Sequence, residues 1–448
     1  MEKGTEVAKI FAGFSKLHRA DRLARLLEIG ALTSADVAFL NSGGLENADL
    51  AEKFIENVIG YFQIPLGVAT NFRIDGTDYV IPMAVEETSI VAAASKTAKW
   101  IRETGEIKTE SLGNLIIGQI QLANVRSFGL VREKIISHKK QLINQANAIV
   151  ASGLVRRGGG VQDLVVRQVP RGDGNDMAVI HVLADPCDSM GANTINQVCE
   201  FLKKPIEDLT DEKVSLCILS NLVDTRLTRV TIIIRNINPE LGHRIEEASL
   251  FALRDPYRAA TNNKGVLNGI DAVLVATGND WRAVEAGVHA YAARSGQYRS
   301  ITEWKMQGCD LIGILEAPVV VATAGGVTQA HPTAKMCLEM IGLKKSMDLS
   351  RVIAAVGLVQ NLGALRALTT EGIIEGHMKL HIKNLIIHAG ATDYEAPILQ
   401  GKLEEILALT KRITLSTVIE VLNEIRGIKE DLEDLIEPLN PLKKSKNQ

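Results

Sequence analysis

Five short stretches of the chain place ionisable or anion-accepting groups where they could do chemistry. Glu86 and Glu87 stand side by side between a strand-like run, TDYVIPMAV (77–85), and an Ala-rich helical run, SIVAAASKTAKWIRE (89–103). A carboxyl that donates a proton near neutral pH must be raised by burial or by a like charge, whereas a helix start favours its ionised form. Decoration of the helix dipole is therefore the competing reading of the pair. The run Asp255 to Gly265 sets Arg258 and Lys264 six residues apart in what reads as an Asn-rich loop. Arg suits a carboxylate by bidentate pairing, and Lys suits a point anion such as an alkoxide. A solvated loop whose cations do nothing specific has the same pattern.

Gly278-Asn279-Asp280-Trp281-Arg282 opens the helix AVEAGVHAYAA. Asp280 is either its N-cap or a buried partner for the charge of Lys264. Gly376-His377-Met378 opens another helix, with His377, His381, Asn384 and His388 on one side. Met378 stands where a zincin would have its acid, which argues against metal. The alternatives are a polar helix face, or one histidine acting as proton donor with Gly376 as a hinge. Finally, the strand MAVIHVLA leads into Asp188-Ser189-Met190-Gly191-Ala192-Asn193-Thr194. Gly191 lets backbone approach a ligand, and the free N–H groups of a helix start can hold phosphate. A helix capped by Asn193 is the plainer account.

The elements that must position these groups show in the periodicity. Residues 1–55 read as polar helices, with Leu23, Leu26, Leu27, Ile29 and Leu32 as an amphipathic stripe. From about Gly113 the rhythm becomes β-α-β-β-α-β: LIIGQIQLANV, a basic helix through REKIISHKKQLINQANAIVA, DLVVRQV, MAVIHVLA, a helix near Asn193, and LCILSNL. That order predicts an inserted α+β domain with a largely antiparallel, ferredoxin-like sheet. TRVTIIIRNI leads out of it, and from about Ile245 the chain reads as helical. The expected fold is α+β, with a large, mainly helical domain (1–112 and 222–375), the inserted domain (113–221), and a C-terminal helical flap with a basic tail (376–448).

Composition removes several classes. The chain has 448 residues, with 50 Lys+Arg against 53 Asp+Glu and 4% aromatics. A nucleic-acid binder usually shows a basic excess and stacking aromatics, so no nucleic-acid partner is expected. The charge-free stretch Ala317–Ala334 contains Pro318, Gly325, Gly326 and Pro332, so no membrane span is expected there. The N-terminus lacks the pattern of a secretory signal, and five cysteines without a CxxC read as reduced thiols of a cytoplasmic protein. No G-x-G-x-x-G joins a strand to a helix, which disfavours a Rossmann site.

Together these strings resemble the 3-hydroxy-3-methylglutaryl-coenzyme A (HMG-CoA) reductases of the soluble bacterial and archaeal class, class II. The matching runs are Ile55-Glu56-Asn57-Val58-Ile59-Gly60, Val85 to Ala94, Asp188 to Thr194, Ile218 to Leu222, Asp255 to Asn268, Ala276 to Gly287, Gly363 to Leu368, and Gly376 to Met378. They keep the family's order from about residue 55 to 390.

The resemblance implies a four-electron reduction of HMG-CoA to mevalonate and coenzyme A by two NADPH or NADH, or the reverse oxidative acylation. It implies that Lys264 stabilises the oxyanion, Glu87 donates a proton to that oxygen, Asp280 tunes Lys264 and links it to Glu87, and His377 protonates the departing thiolate. It assigns the substrate to Ser89, Arg258, Asn268, Gln360 and Ala364. It assigns the cofactor to Asp188, Met190, Gly191, Asn193, Thr194, Asn221 and Leu368. No metal is implied, and the family's form is a homodimer or larger homo-oligomer with active sites at the interface.

Two departures bear on binding. Where some relatives place an Arg against the coenzyme A phosphate, this chain reads Phe14-Ser15-Lys16, so Lys16 is the expected substitute. Where NADH-using relatives carry an acid before the triple glycine, this chain has Gln145 to Ala151 without one, followed by Arg156 and Arg157. That tolerates a 2′-phosphate and leans to NADPH or dual use. A coenzyme A thioester hydrolase or acyltransferase is the alternative; it needs a nucleophile, and neither a G-x-S-x-G elbow nor a Cys in a Gly-rich turn is evident.

Overall fold

Two sheets organise the structure, a computed structural model that describes residues 11–45, 48–370, 382, 385–410 and 412–427. The chain divides into two compact units, 1–366 and 367–448. Helices of eight or more residues are labelled. The first unit begins with α1 (Arg19–Glu28), α2 (Ser34–Asn41), β1 (Leu66–Ile74), β2 (Thr77–Ala84), α3 (Ile90–Thr104) and β3 (Gly105–Leu112). It continues with β4 (Ile116–Leu122), α4 (Phe128–Ile149), β5 (Gly160–Pro170), β6 (Asp176–Asp185), α5 (Ala192–Thr210) and β7 (Leu216–Ser220). Then come β8 (Leu227–Ile234), α6 (Pro239–Arg254), α7 (Pro256–Ala276), α8 (Trp281–Ala292), β9 (Thr302–Gln307), β10 (Asp310–Ala317), α9 (Pro332–Ile341) and α10 (Ser346–Thr369).

The larger sheet has the order β2-β1-β3-β8-β10-β9. Its pairs are antiparallel except β1 with β3. Alternation in β8 turns Val230, Ile232 and Ile234 into one core with the apolar faces of α3 and α7. Helix α10 is long and apolar enough by composition to cross a membrane, yet most of it is buried in that core. A helix that is apolar all round belongs in such a position. Opposite Trp304 in the β9–β10 ladder stands Gly313, where a Cβ would fall 2.3 Å from the indole ring.

The smaller sheet, β5-β6-β4-β7, is antiparallel throughout and follows the order β-α-β-β-α-β. One face packs on α4 and α5 through Ile120, Ile135, Ile180, Val182, Ile195 and Leu202. The chain enters and leaves this sheet side by side. Thr225 Oγ1 donates to Leu115 O (2.6 Å), and a Cβ at Gly113 (φ 76°) would sit 2.2 Å from Thr225 O.

Several local expectations change. The run after Asp255 is helix α7, not a loop: Asp255 accepts from Arg258 N and Pro256 occupies the first turn. The N-cap of α5 is Gly191 in the left-handed region (φ 85°), and Asn193 lies inside the first turn. Strands β1 and β3, and the hairpin β9–β10 in the stretch read as helical, were not expected. In the second unit, α11 (Glu395–Thr410) and α12 (Leu415–Arg426) share a core of Leu399, Leu403, Leu407, Val418 and Leu422 with Ile382, Leu385 and Ile386.

Candidate active site

One cluster forms near the N-terminal half of α7. Glu87 Oε2 accepts from Lys264 Nζ at 2.9 Å, with the side chains 39% and 61% exposed. A pair so exposed contributes only about 0–1 kcal/mol to stability, so the fold has little structural need of it. What fixes Lys264 is its buried neighbours. Asn262 Nδ2 donates to Ser300 Oγ (2.7 Å) and Thr302 Oγ1 (3.1 Å), and its Oδ1 accepts from Asn361 Nδ2 (2.9 Å). Asn263 Nδ2 donates to Tyr298 OH (3.0 Å) and Arg299 O (2.9 Å), while its Oδ1 accepts from Ile301 N (3.1 Å). Trp304 Nε1 completes the network on Asn361 Oδ1 (2.8 Å). Asparagines unsuited to a helix interior are retained because every polar atom they bury finds a partner.

One turn beyond Lys264 lies Asn268. The adjacent Gly269 meets Val356 O and the Gln360 Cβ at 2.9 and 3.0 Å from its ideal Cβ position, which brings α10 hard against α7. Gln360 is 5% exposed, and Ala364 follows it one turn later. Ser89, at the start of α3, has φ 78°, unusual for a residue with a side chain. The Ser89 Oγ and Gln360 Oε1 are buried without a hydrogen-bond partner. Such a buried orphan costs about 1–3 kcal/mol, which marks both atoms for a partner from outside the fold. Arg258 is half-buried, and burial pushes its guanidinium pKa down.

A second cluster forms past the other end of α7. Asp280 caps α8, accepting from Ala283 N (3.2 Å) and Arg282 Nε (3.3 Å). The expected pairing of Asp280 with Lys264 is not made within one chain. Ala276 lies twelve helical positions beyond Lys264, roughly 18 Å of axis at 1.5 Å per residue, and Asp280 lies further on. Beside Asp280, Ala283 and Val284 share an apolar pocket with Met190, Ile195, Asn221 and Pro318. A Cβ at Gly287 would fall 2.5 Å from Asn221 O, so α8 packs directly on the end of β7. Asp188 Oδ1 accepts from Ser346 N at 2.9 Å. Gly191 is sterically required: a Cβ would meet Ile116 Cδ1 at 2.5 Å and Pro186 Cβ at 2.6 Å. No acid occupies the first turn of α5, which holds Asn193 and Thr194, so its N–H groups face no competing charge. Arg156 and Arg157 are exposed beside the triple glycine, where Gly159 abuts Asp185 O and Cys187 Sγ.

Lys16 is exposed at the end of a 3₁₀ turn (Phe14–Lys16), and Leu368 is exposed near the end of α10, one turn past Ala364. His377, His381 and Asn384 lie outside the described residues. Among the described residues, no group of three His, Cys, Asp or Glu could hold a metal. Sequence reasoning missed the network of Asn262, Asn263 and Asn361, whose only local signal was the paired Asn before Lys264. It also missed Asp271, which sits on α7 between the two clusters. Burial first, then the charge and hydrogen bond of Glu285 on α8, push the Asp271 carboxyl up to about 8.

Comparison with known proteins places the chain in a family. The family model described as hydroxymethylglutaryl-coenzyme A reductase matches residues 19–382. A 3-hydroxy-3-methylglutaryl-coenzyme A reductase of Archaeoglobus fulgidus is 43% identical over 93% of this chain and 94% of its own length. A probable reductase of Borreliella burgdorferi is 32% identical, over 87% and 88%. The reductase of Streptococcus pneumoniae superposes with a TM-score of 0.79 at 36% identity, covering 93% of this chain and all of that one. A class II reductase structure from the same organism, bound to NADPH in open conformations, gives 0.78 at 36% identity, over 80% of this chain and all of its own. With the family model covering most of the chain and these relatives matched over nearly their whole length, the chain belongs to the hydroxymethylglutaryl-coenzyme A reductase family.

Proposed function

We propose that this enzyme reduces HMG-CoA to mevalonate and coenzyme A with NADPH or NADH, at sites that each combine the Lys264 cluster of one chain with the Asp280 cluster of another. The observation that carries this reading is the length of α7, which holds the two clusters apart within one chain while both contain residues that the family's chemistry requires. A homodimer follows. Ile55, Ile59 and Phe62 support it as exposed apolar side chains in one short segment, Ile59 and Phe62 almost wholly so.

In the proposed mechanism, Arg258 and Asn268 hold the hydroxymethylglutaryl group, and the orphaned Ser89 and Gln360 atoms give it further hydrogen bonds. Ala364 lines the same side. The Lys264 ammonium faces the thioester oxygen as it gains charge, where a positioned cation stabilises the oxyanion. Glu87 already shares a hydrogen bond with Lys264, so a proton can pass to that oxygen over a short path. Asp280 of the second chain would hold the charge of Lys264 from the other side. His377 is assigned the protonation of the leaving thiolate, whose ordinary pKa near 8.5 an imidazolium can meet. Lys16 is assigned to the coenzyme A phosphate.

The residues around α5 fit a nicotinamide dinucleotide. Gly191, which its packing against Ile116 and Pro186 requires, opens the helix in the left-handed region, and the first turn carries no acid. Asp188, Met190, Gly191, Asn193, Thr194, Asn221 and Leu368 are the residues proposed to hold it. When bound, the cofactor supplies hydride. Residues 1–112 and 222–375 then form the substrate domain, 113–221 a ferredoxin-like cofactor domain, and 376–448 a C-terminal flap, in a cytoplasmic protein with no membrane or nucleic-acid partner.

Absorbance of the reduced cofactor tests the reading. Oxidation of NADPH or NADH that depends on HMG-CoA, with mevalonate and coenzyme A formed, is expected. If neither cofactor is consumed, and neither is formed from mevalonate and coenzyme A, the reductase assignment is lost.

A further inference from the structure

Arg226 occupies the point where the chain leaves the smaller sheet and enters β8. It is 5% exposed, and its Nη1 is buried without a partner. Its Nη2 donates to Ser346 Oγ at 2.9 Å. Ser346, the first residue of α10, in turn donates from Oγ to Cys187 O (3.2 Å) and from its backbone N to Asp188 Oδ1 (2.9 Å). The turn it grips is tightly specified. Asp185 Oδ1 accepts from Cys187 N (2.8 Å), Asp185 Oδ2 accepts from Asn114 Nδ2 (2.6 Å), and Thr323 N donates to Asp188 O (3.1 Å). Cys187 holds φ 55° in the left-handed region. Burial lowers the Arg226 pKa, and the carboxylates of Asp185 and Asp188 pull it back up.

A buried guanidinium with one neutral hydrogen bond is poor stabilising chemistry, because its desolvation is only partly offset. An apolar residue of similar volume would serve packing better. The charge therefore has another use at this junction.

We propose that Arg226 is a positioning residue for the cofactor: through Ser346 it locks the Asp185–Asp188 turn onto the start of α10 and so sets where Met190 and Gly191 present the start of α5. This rests on the proposed cofactor role of Asp188. It also ties that turn to the same helix that carries Gln360 and Ala364, so the cofactor side and substrate side of one chain share a rigid reference.

Steady-state kinetics of Arg226→Gln, Arg226→Lys and Asp188→Asn test it, with HMG-CoA and the reduced cofactor varied separately. Arg226→Gln should raise the cofactor KM at least tenfold, while kcat at saturating cofactor and the HMG-CoA KM stay within threefold. Arg226→Lys, which keeps the charge, should return the cofactor KM to within threefold of the parent. A cofactor KM unmoved in Arg226→Gln overturns the proposal, as do equal losses in kcat and both KM values, which a merely structural role would give. If Arg226→Gln does not fold, Arg226→Lys decides: a tenfold rise in its cofactor KM overturns the role given to the charge. Asp188→Asn separates the two readings. An unchanged cofactor KM there removes the cofactor role of Asp188 and this proposal with it. A raised value there beside an unmoved one in Arg226→Gln refutes the positioning role alone.

Discussion

The two ends of α7 are built in opposite ways. At one end, a cation and a carboxylate 177 positions apart in sequence meet in the open, beside buried acceptors that the fold leaves unpaired. At the other, a capped helix start, a required glycine and an apolar pocket come together from runs of consecutive residues. The first end suits a reaction in which charge appears and disappears. The second suits a flat, uncharged ring held by packing, with its phosphates on a helix start. One rigid helix keeps them apart, so their separation is a property of the single chain, and under the proposed reading their meeting is a property of the assembly.

Experiments can break or sharpen that contrast. Lys264→Ala should lower kcat/KM by about a hundredfold to a thousandfold or more, the usual loss for an oxyanion donor; retention of activity within about tenfold of the parent would remove Lys264 from that role. Next in size is complementation. Lys264→Ala and Asp280→Ala chains, each inactive alone, should recover about a quarter of parental turnover when unfolded together and refolded as a statistical mixture of two-fold dimers. Mixed dimers without activity would place both residues in the same chain's site.

Smaller changes probe each end singly. Gln360→Leu should raise the HMG-CoA KM about tenfold, one lost hydrogen bond, and leave the melting temperature unchanged or higher because a buried orphan is removed. A lowered melting temperature with an unchanged KM would make Gln360 a packing residue. Last comes the Asp271–Glu285 contact between α7 and α8. Burial, with the neighbouring Glu285, pushes the Asp271 carboxyl up to about 8 in the fold, against about 3.9 in the unfolded chain. Between those values the fold holds a proton that the unfolded chain has released. The contribution is full below about pH 4 and is lost as pH rises toward 8. Asp271→Asn should therefore flatten the fall in melting temperature between pH 5 and pH 8, and an unaltered slope would show that this carboxyl is ionised throughout.

The sequence revealed the second end of α7 more fully than the first. Asp280 before Trp281 announced its own cap, and Asp188 to Thr194 announced a strand-to-helix turn, because both are local patterns. The capping residue of α5 was misplaced because a glycine in the left-handed region leaves no side-chain signature. The run TNNKG looked like a loop because asparagine is a poor helix former. Contacts with Tyr298, Ser300, Thr302 and Asn361, up to 99 positions away, reverse that preference and cannot be seen locally. Strand β3 (GEIKTESL) is too polar to read alone, and it is a strand because β8 pairs with it residue by residue. The direct contact of Glu87 with Lys264, and the distance of Asp280 from it, are likewise tertiary facts.

The backbone of Ser89 has a consequence for how this chain can be improved. Held at φ 78° with its hydroxyl buried and unpaired, it is a position where glycine would relieve both strains at once. A search for thermostable variants would be drawn to Ser89→Gly, and would thereby delete a hydroxyl assigned to the substrate. Under the proposed substrate role, the position illustrates a trade between robustness and readiness: the residue best suited to the resting fold is then not the one best suited to turnover.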